Sequence, residues 1–221
     1  MKVAAIIAAG GSGKRMGRPK QFLPLLGRAV VEWSLEVFKK IKSIEQIILT
    51  VSGDDLERAK NLGVLVVEGG AERQDSVANG LKFVSPDCDL VLIHDGARPL
   101  ITPDIVEKAM AEAREHGAVV VGVPVADTIK QVESGDWLVE KTVDRGKLWQ
   151  AQTPQVFKHE IITQAYKKAR QKATDDAQLV EDFGKKVKMV MGSYQNIKIT
   201  TPEDLIIAEA ILRSRHVLSQ P

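Results

Sequence analysis

The chain opens on a short unbroken apolar run, Val3-Ala4-Ala5-Ile6-Ile7-Ala8-Ala9, of the kind required by a strand buried on both faces. The period then changes. Over 30–41, Val31, Leu35 and Phe38 fall on one side of a 3.6-residue repeat, which predicts a helix. Strands are expected at 46–51 and 64–67, separated by a short helix over 54–62 that Gly63 closes. A helix over 74–84 carries Val77, Leu81 and Val84 in one stripe, and a buried strand at 89–93 follows. Thr102-Pro103-Asp104 supplies an N-cap, a proline at the first helical position and an acid in the first turn, so a helix starts there; Gly117 ends it. A strand at 118–123 is closed by Pro124. This alternation predicts an α/β fold, a Rossmann-like, mostly parallel sheet with helices on both faces.

The stretch 127–150 breaks the alternation. Two extended runs, 128–132 and 137–143, flank Ser134-Gly135-Asp136, which is a hairpin signal. Little in it could form a core, so it is expected to be a β-arm projecting from a single domain spanning 1–221, of the kind a partner subunit covers. The α/β pattern resumes with helices over 158–171 and over 175–183, the latter stopped by Gly184. Strands at 187–191 and 197–200 follow, and Thr201-Pro202-Glu203-Asp204 caps a last helix.

Composition narrows the classes. Hydrophobic residues are 44% of the 221 and charged residues 27%, ordinary for a soluble globular chain. A net charge of +2 gives no general support to nucleic-acid binding. Its distribution says more: Lys2, Lys14, Arg15, Arg18, Lys20 and Arg28 all precede the first acid, Glu32. Such a run is either a solvated face or the approach to an anionic partner. The lone Cys88 excludes an internal disulfide and a cysteine metal cluster, and reads as structural. No apolar run approaches the ~18 residues of a membrane span, and no signal peptide precedes the first strand, so a cytoplasmic location is expected.

After the first strand comes Gly10-Gly11-Ser12-Gly13-Lys14-Arg15. Glycines let backbone N–H groups approach anionic oxygens without Cβ atoms in the way. A P-loop would need Gly at position 8 and Ser or Thr at 15, where Ala8 and Arg15 stand. A dinucleotide fingerprint would need Gly at 16, where Met16 stands, and tolerates far less positive charge. A second feature lies at the end of the strand at 89–93. Asp95 sits where open α/β sheets bind ligands, and a lone carboxylate there suits magnesium, which takes its other ligands from phosphates and water. Arg98 can grip a phosphate with two parallel hydrogen bonds. The alternative is an Asp95–Arg98 pair that stabilises its loop. His94 reads as a packed neighbour.

The loop Ala8-Ala9-Gly10-Gly11-Ser12-Gly13-Lys14-Arg15-Met16-Gly17, with Pro19-Lys20-Gln21, resembles the signature of the sugar-nucleotide pyrophosphorylase superfamily. The segments Glu72-Arg73-Gln74-Asp75-Ser76-Val77, Leu92-Ile93-His94-Asp95-Gly96-Ala97-Arg98-Pro99, Ala126-Asp127-Thr128-Ile129-Lys130, Gln152-Thr153-Pro154-Gln155 and Asn196-Ile197-Lys198-Ile199-Thr200 narrow it. Together they resemble the 2-C-methyl-D-erythritol 4-phosphate cytidylyltransferase family over almost the whole chain.

The resemblance implies transfer of the cytidylyl group of CTP to a sugar-alcohol phosphate, with magnesium and release of pyrophosphate. It implies that Ala8, Ala9, Gly10, Gly11 and Gly13 wrap the triphosphate. Gly70 and Ser76 would lie beside the cytidine. Arg15, Lys20 and Lys198 would act on the reacting phosphates, and Asp95 would be the metal-side carboxylate, bordering the acceptor. Arg98, Thr128 and Arg145 would bind the acceptor phosphate, the last two carried by an arm that crosses to the other subunit of a homodimer. Gln195 stands where the family often has an acid. Asp175 and Asp176 lie near a family acceptor-site region beginning at Thr174, but read rather as solvent-exposed helix-start acids. The competing readings are ribitol 5-phosphate cytidylyltransferase, a non-catalytic nucleotide-binding protein and, more remotely, a nicotinamide-dependent oxidoreductase.

Overall fold

The computed structural model describes residues 1–11, 13 and 19–218. In chain order its elements are β1 (Val3–Ala9), β2 (Pro24–Leu25), β3 (Arg28–Ala29), α1 (Val30–Lys40), β4 (Ile44–Val51), α2 (Leu56–Ala59), β5 (Leu65–Glu68), α3 (Arg73–Leu81) and β6 (Leu90–Asp95). There follow α4 (Pro103–His116), β7 (Ala118–Pro124), β8 (Ile129–Val132), β9 (Val139–Val143), β10 (Trp149–Lys158), α5 (His159–Lys168), α6 (Asp176–Asp182), β11 (Lys188–Met191) and α7 (Pro202–Leu218).

Seven strands make one sheet in the order β11-β7-β10-β6-β1-β4-β5. Every pairing is parallel except those of β10, which runs antiparallel between β6 and β7. The unbroken apolar run of β1 is explained by cover on both faces. Val3, Ala5, Ile7 and Ala9 join a core with Val31, Leu35 and Phe38 of α1 and Val106 and Met110 of α4. Ala4 and Ile6 face the other way, toward Val77 of α3, Ile162 of α5 and Leu179 and Val180 of α6. Each fully buried side chain of this size contributes about 1.5–3 kcal/mol before entropy is counted. A third cluster seats α7, through Ala208 and Leu212, on Leu23, Leu25, Val30 and Leu100.

The proline and glycine signals around α4 act as expected, whereas the Thr102 side chain makes no capping hydrogen bond. Thr102 is extended, Pro103 is the first helical residue, and Gly117 takes φ +83° while its N–H donates to Ala113 O at 2.9 Å. The arm is a separate antiparallel pair, with Ile129 opposite Val143 and Lys130 opposite Thr142. It stands away from the core, and Trp137 near its tip is 81% exposed.

One expectation is corrected, and one strand is present that the sequence did not announce. Residues 197–200 are not a strand; Ile199 makes one bond to Ala97 O, and Thr200 is taken up by the Asp204 carboxylate that caps α7. And β10, ten residues long and central to the sheet, carries no strand pattern in the sequence. From β1 the chain steps to β4 and β5 on one side, then crosses to β6 on the other. That reversal puts the switch point, where such sheets open a crevice, at the carboxyl ends of β1 and β6.

Candidate active site

Ala8 and Asp95 are register partners at those strand ends. Between them opens a cavity of about 420 Å³. One wall is the turn after β1, Ala8 to Gly11, with Lys20 and Gln21 behind it. Gln21 is buried and its Nε2 donates to Ala9 O at 2.5 Å and Gly11 O at 3.1 Å, which ties the start of the glycine loop down.

The opposite wall is Gly70 to Arg73 and Ser76, the approach to α3. Ser76 Oγ accepts from Gly70 N and donates to Glu72 O, both at 3.1 Å. Glu72 and Asp75 form a reciprocal capping box, with Glu72 N donating to Asp75 Oδ2 at 3.1 Å. Gly70 must be glycine: a Cβ there would lie 2.2 Å from the Asp75 Cβ. The result is a helix N-terminus opening on the cavity, a favourable place for an anion.

Asp95 forms the floor. It is buried, yet both oxygens face cations: Arg73 Nε lies 2.8 Å from Oδ1, Lys198 Nζ 2.7 Å from Oδ2 and Arg98 Nε 3.8 Å from Oδ2. Burial alone would raise its pKa, but the guanidinium of Arg73 and the ammonium of Lys198 outweigh that and hold the carboxyl well below the usual range. His94 is wholly buried beside it and pushed down to about 4 by desolvation, so it is neutral near pH 7. Its Nε2 lies 3.1 Å from the Arg98 carbonyl, which can only accept, so Nε2 carries the proton. Nδ1 then accepts from Thr153 Oγ1 at 3.1 Å, and the same oxygen accepts from Asp95 N at 3.0 Å.

Of the residues singled out in the sequence, Ala8, Ala9, Gly10, Gly11, Lys20, Gly70, Ser76, Asp95 and Lys198 all line the cavity. Gly13 has φ +64°, a conformation that suits glycine. Arg15 lies outside the described residues. Arg98 sits behind Asp95, its Nη1 donating to Asn196 O at 2.7 Å. Thr128 and Arg145 are exposed at the base of the arm, where Arg145 donates to Ala126 O, and neither lines the cavity of its own chain. Cys88 precedes β6 and so stands at the other end of the sheet, buried, with its thiol pushed up by desolvation.

Two residues have places the sequence did not show. Arg73 lies in a quoted motif, but its role shows only in three dimensions. Besides Asp95 it reaches Asp176, whose Oδ2 lies 2.8 Å from Arg73 Nη2. Asp176 is therefore not a solvent-exposed acid: it is 1% exposed, and Tyr166 O–H donates to its Oδ1 at 2.5 Å. Asp175 does act at a helix start, its Oδ1 accepting from Gln178 N at 2.9 Å, but Gln155 Nε2 also holds its Oδ2 at 2.8 Å. The arrangement as a whole can hold a polyanion against backbone N–H groups and neutralise charge that builds on a transferring phosphoryl group.

Comparisons with known proteins place the chain in a family. A profile of the family described as 2-C-methyl-D-erythritol 4-phosphate cytidylyltransferase matches residues 3–214. The enzyme of that name from Alkaliphilus oremlandii is 48% identical, aligned over 97% of this chain and 96% of its own. The one from Clostridioides difficile is 45% identical over 95% and 93%. Among solved structures, 4-diphosphocytidyl-2C-methyl-D-erythritol synthase from Anaerococcus prevotii superposes with a TM-score of 0.85 at 37% identity, covering 96% of this chain and 98% of that one. The cytidylyltransferase from Thermus thermophilus gives 0.84 at 36% identity, covering 96% and 100%. With a family profile matched over residues 3–214 and relatives 45% and 48% identical along nearly their whole length, the chain belongs to the 2-C-methyl-D-erythritol 4-phosphate cytidylyltransferase family.

Proposed function

We infer that the chain transfers the cytidylyl group of CTP to 2-C-methyl-D-erythritol 4-phosphate and releases pyrophosphate. The observation that carries the chemistry is the cation cluster on Asp95, set between the glycine-rich turn and the N-terminus of α3. The acceptor is a phosphate monoester, ionised at neutral pH, so its oxygen needs no general base. The obstacle is repulsion between two anions that must meet in line at the α-phosphorus. Catalysis is then positioning and charge neutralisation. In this reading the turn after β1 and the N-terminus of α3 bind the nucleotide, while Gly70 and Ser76 border the cytidine. Arg15 and Lys20 stabilise charge at the α-phosphorus and on the leaving pyrophosphate, and Lys198 exchanges Asp95 for a phosphate oxygen.

Magnesium belongs to the same proposal. Among the described residues no group of three or more His, Cys, Asp or Glu side chains could hold a metal ion. Asp95, ionised and lining the cavity, nevertheless fits as the one protein ligand of an ion that takes its remaining ligands from phosphates and water, once Lys198 leaves Oδ2 for a phosphate oxygen. When bound, the ion would supply charge neutralisation between phosphate oxygens.

The acceptor site is proposed to join Arg98, beside Asp95, with Thr128 and Arg145 from the arm of a second copy. That makes the chain a homodimer in which each arm completes the other active site. No helix among the described residues is long and apolar enough to cross a membrane, and a cytoplasmic location is proposed.

Lys20→Ala should lower kcat about a hundredfold, roughly 3 kcal/mol of lost transition-state stabilisation, with a smaller change in the KM for CTP. Turnover within a few-fold of wild type would contradict the role of Lys20. Mixing Lys20→Ala with Arg145→Ala subunits should restore part of the activity that each variant lacks. No recovery despite subunit exchange would contradict the shared site.

A further inference from the structure

Arg73 is the first residue of α3, and its guanidinium spans two buried carboxylates from distant parts of the chain. On one side is Asp95 at the end of β6; on the other is Asp176 at the start of α6. Asp176 does not line the cavity, so it is not placed to touch a nucleotide there. It is 1% exposed, with one oxygen facing Arg73 and the other held by the Tyr166 hydroxyl. The contacts around it tie the same two parts of the chain together: Lys172 pairs with Glu72 at 2.9 Å, and Ala173 N donates to Gln74 Oε1 at 3.0 Å.

The geometry also divides Asp95 between its partners. Arg73 takes Oδ1, whereas Lys198 and Arg98 both face Oδ2. Arg73 is the α3 side chain on Oδ1; with it removed, the carboxylate is free to turn and engage Lys198 with both oxygens. A lysine held that way is withdrawn from phosphate.

We propose that Arg73 and Asp176 are a positioning pair for the transfer reaction: Asp176, fixed by Tyr166, fixes the Arg73 guanidinium, which holds Asp95 Oδ1, so that Lys198 is paired through Oδ2 alone and can exchange that oxygen for phosphate. The proposal rests on the reading of this cavity as the site of cytidylyl transfer. Arg73 acts through Asp95, and Asp176 acts only through Arg73.

The test is steady-state kinetics of Arg73→Ala, Arg73→Lys, Asp176→Asn and the double variant Arg73→Lys/Asp176→Asn, with thermal melts to establish that each is folded. Arg73→Ala should lower kcat by about a hundredfold, with Arg73→Lys recovering about tenfold of it, while the KM for CTP changes less than about threefold. Asp176→Asn should lower kcat by about fivefold, and the double variant should fall within about twofold of Arg73→Lys alone. A loss carried by a raised KM for CTP would make Arg73 a direct nucleotide contact and overturn the proposal. Multiplicative effects in the double variant would overturn the link between the pair. Lowered melting temperatures with kcat intact would reduce both residues to fold stabilisers. If Arg73→Ala does not fold, the Lys and Asn variants carry the same comparison. Wild-type turnover tests the assigned reaction separately, and an active wild type matched by these variants overturns the pair alone.

Discussion

Replacing Asp95 by Asn removes one negative charge from a cluster of three cations and changes little else. The amide oxygen can still accept a hydrogen bond, and the backbone bond from residue 95 to Thr153 Oγ1 at 3.0 Å does not involve the side chain. Breaking a buried ion pair from one side typically costs about 3–5 kcal/mol, because the remaining charge is left buried. Here the side chain of Lys198 is 37% exposed and that of Arg73 28%, so water recovers part of the loss. A destabilisation of about 2–4 kcal/mol at pH 7 follows, measured by urea or guanidinium unfolding.

The pH dependence has a fixed sign. The carboxyl is held below its ordinary value in the folded chain, so its contribution is full above the unfolded pKa, about 4, and declines as pH falls further. The gap between wild type and variant should therefore narrow below about pH 4. Binding should move the opposite way. With the carboxylate gone, Arg73 and Lys198 at the cavity wall, with Arg98 behind them, have less to neutralise them. Calorimetric titration of CTP in EDTA should give an affinity equal to or tighter than wild type, while kcat with magnesium falls about a hundredfold. A variant as stable as wild type at pH 7, or one that binds CTP more weakly without metal, would refute this account of the cluster.

Two further outcomes are expected. His94, lowered to about 4 by burial from an ordinary value near 6.5, is a group that must charge on unfolding in mild acid. Its contribution is full above pH ~6.5 and is lost as pH falls toward 4, about 3 kcal/mol in all, and His94→Gln should abolish that part of the unfolding profile. Gly70→Ala should cost about 1–3 kcal/mol, since the added Cβ would meet Asp75 at 2.2 Å and disturb the capping box; the KM for CTP should rise more than kcat falls. A normal KM would mean that the approach to α3 does not border the nucleotide.

Much of the fold was legible because its signals are local. The run of β1 is apolar because both faces are covered, and Thr102, Pro103 and Gly117 mark the ends of α4 through their own backbone preferences. The central strand β10 was not legible for the opposite reason. Trp149 to Lys158 includes a proline and three glutamines, and what holds the two buried glutamines is distant: Gln152 reaches Ser193 and Asn196, and Gln155 reaches Asp175 and Ala177. Residues 197–200 misled through β-rich composition, whereas Asp204 takes up the Thr200 backbone and hydroxyl and the Thr201 N–H at the end of that stretch.

The candidate site divides in the same way. Gly10, Gly11, Lys20 and Asp95 stand in contiguous motifs at the ends of recognisable strands, so sequence alone located them. Arg73 and Asp176 are 103 positions apart, and nothing in either segment announces the other. A helix-start aspartate is usually solvated, and only the meeting of α3, α5 and α6 encloses this one with an arginine and a tyrosine.

The most direct measurement is pyrophosphate release by the purified protein with CTP and magnesium, offered 2-C-methyl-D-erythritol 4-phosphate and ribitol 5-phosphate in separate reactions. The account predicts release with the methylerythritol phosphate and none with ribitol 5-phosphate. Release with ribitol 5-phosphate alone, or with neither acceptor while CTP still binds, would contradict it.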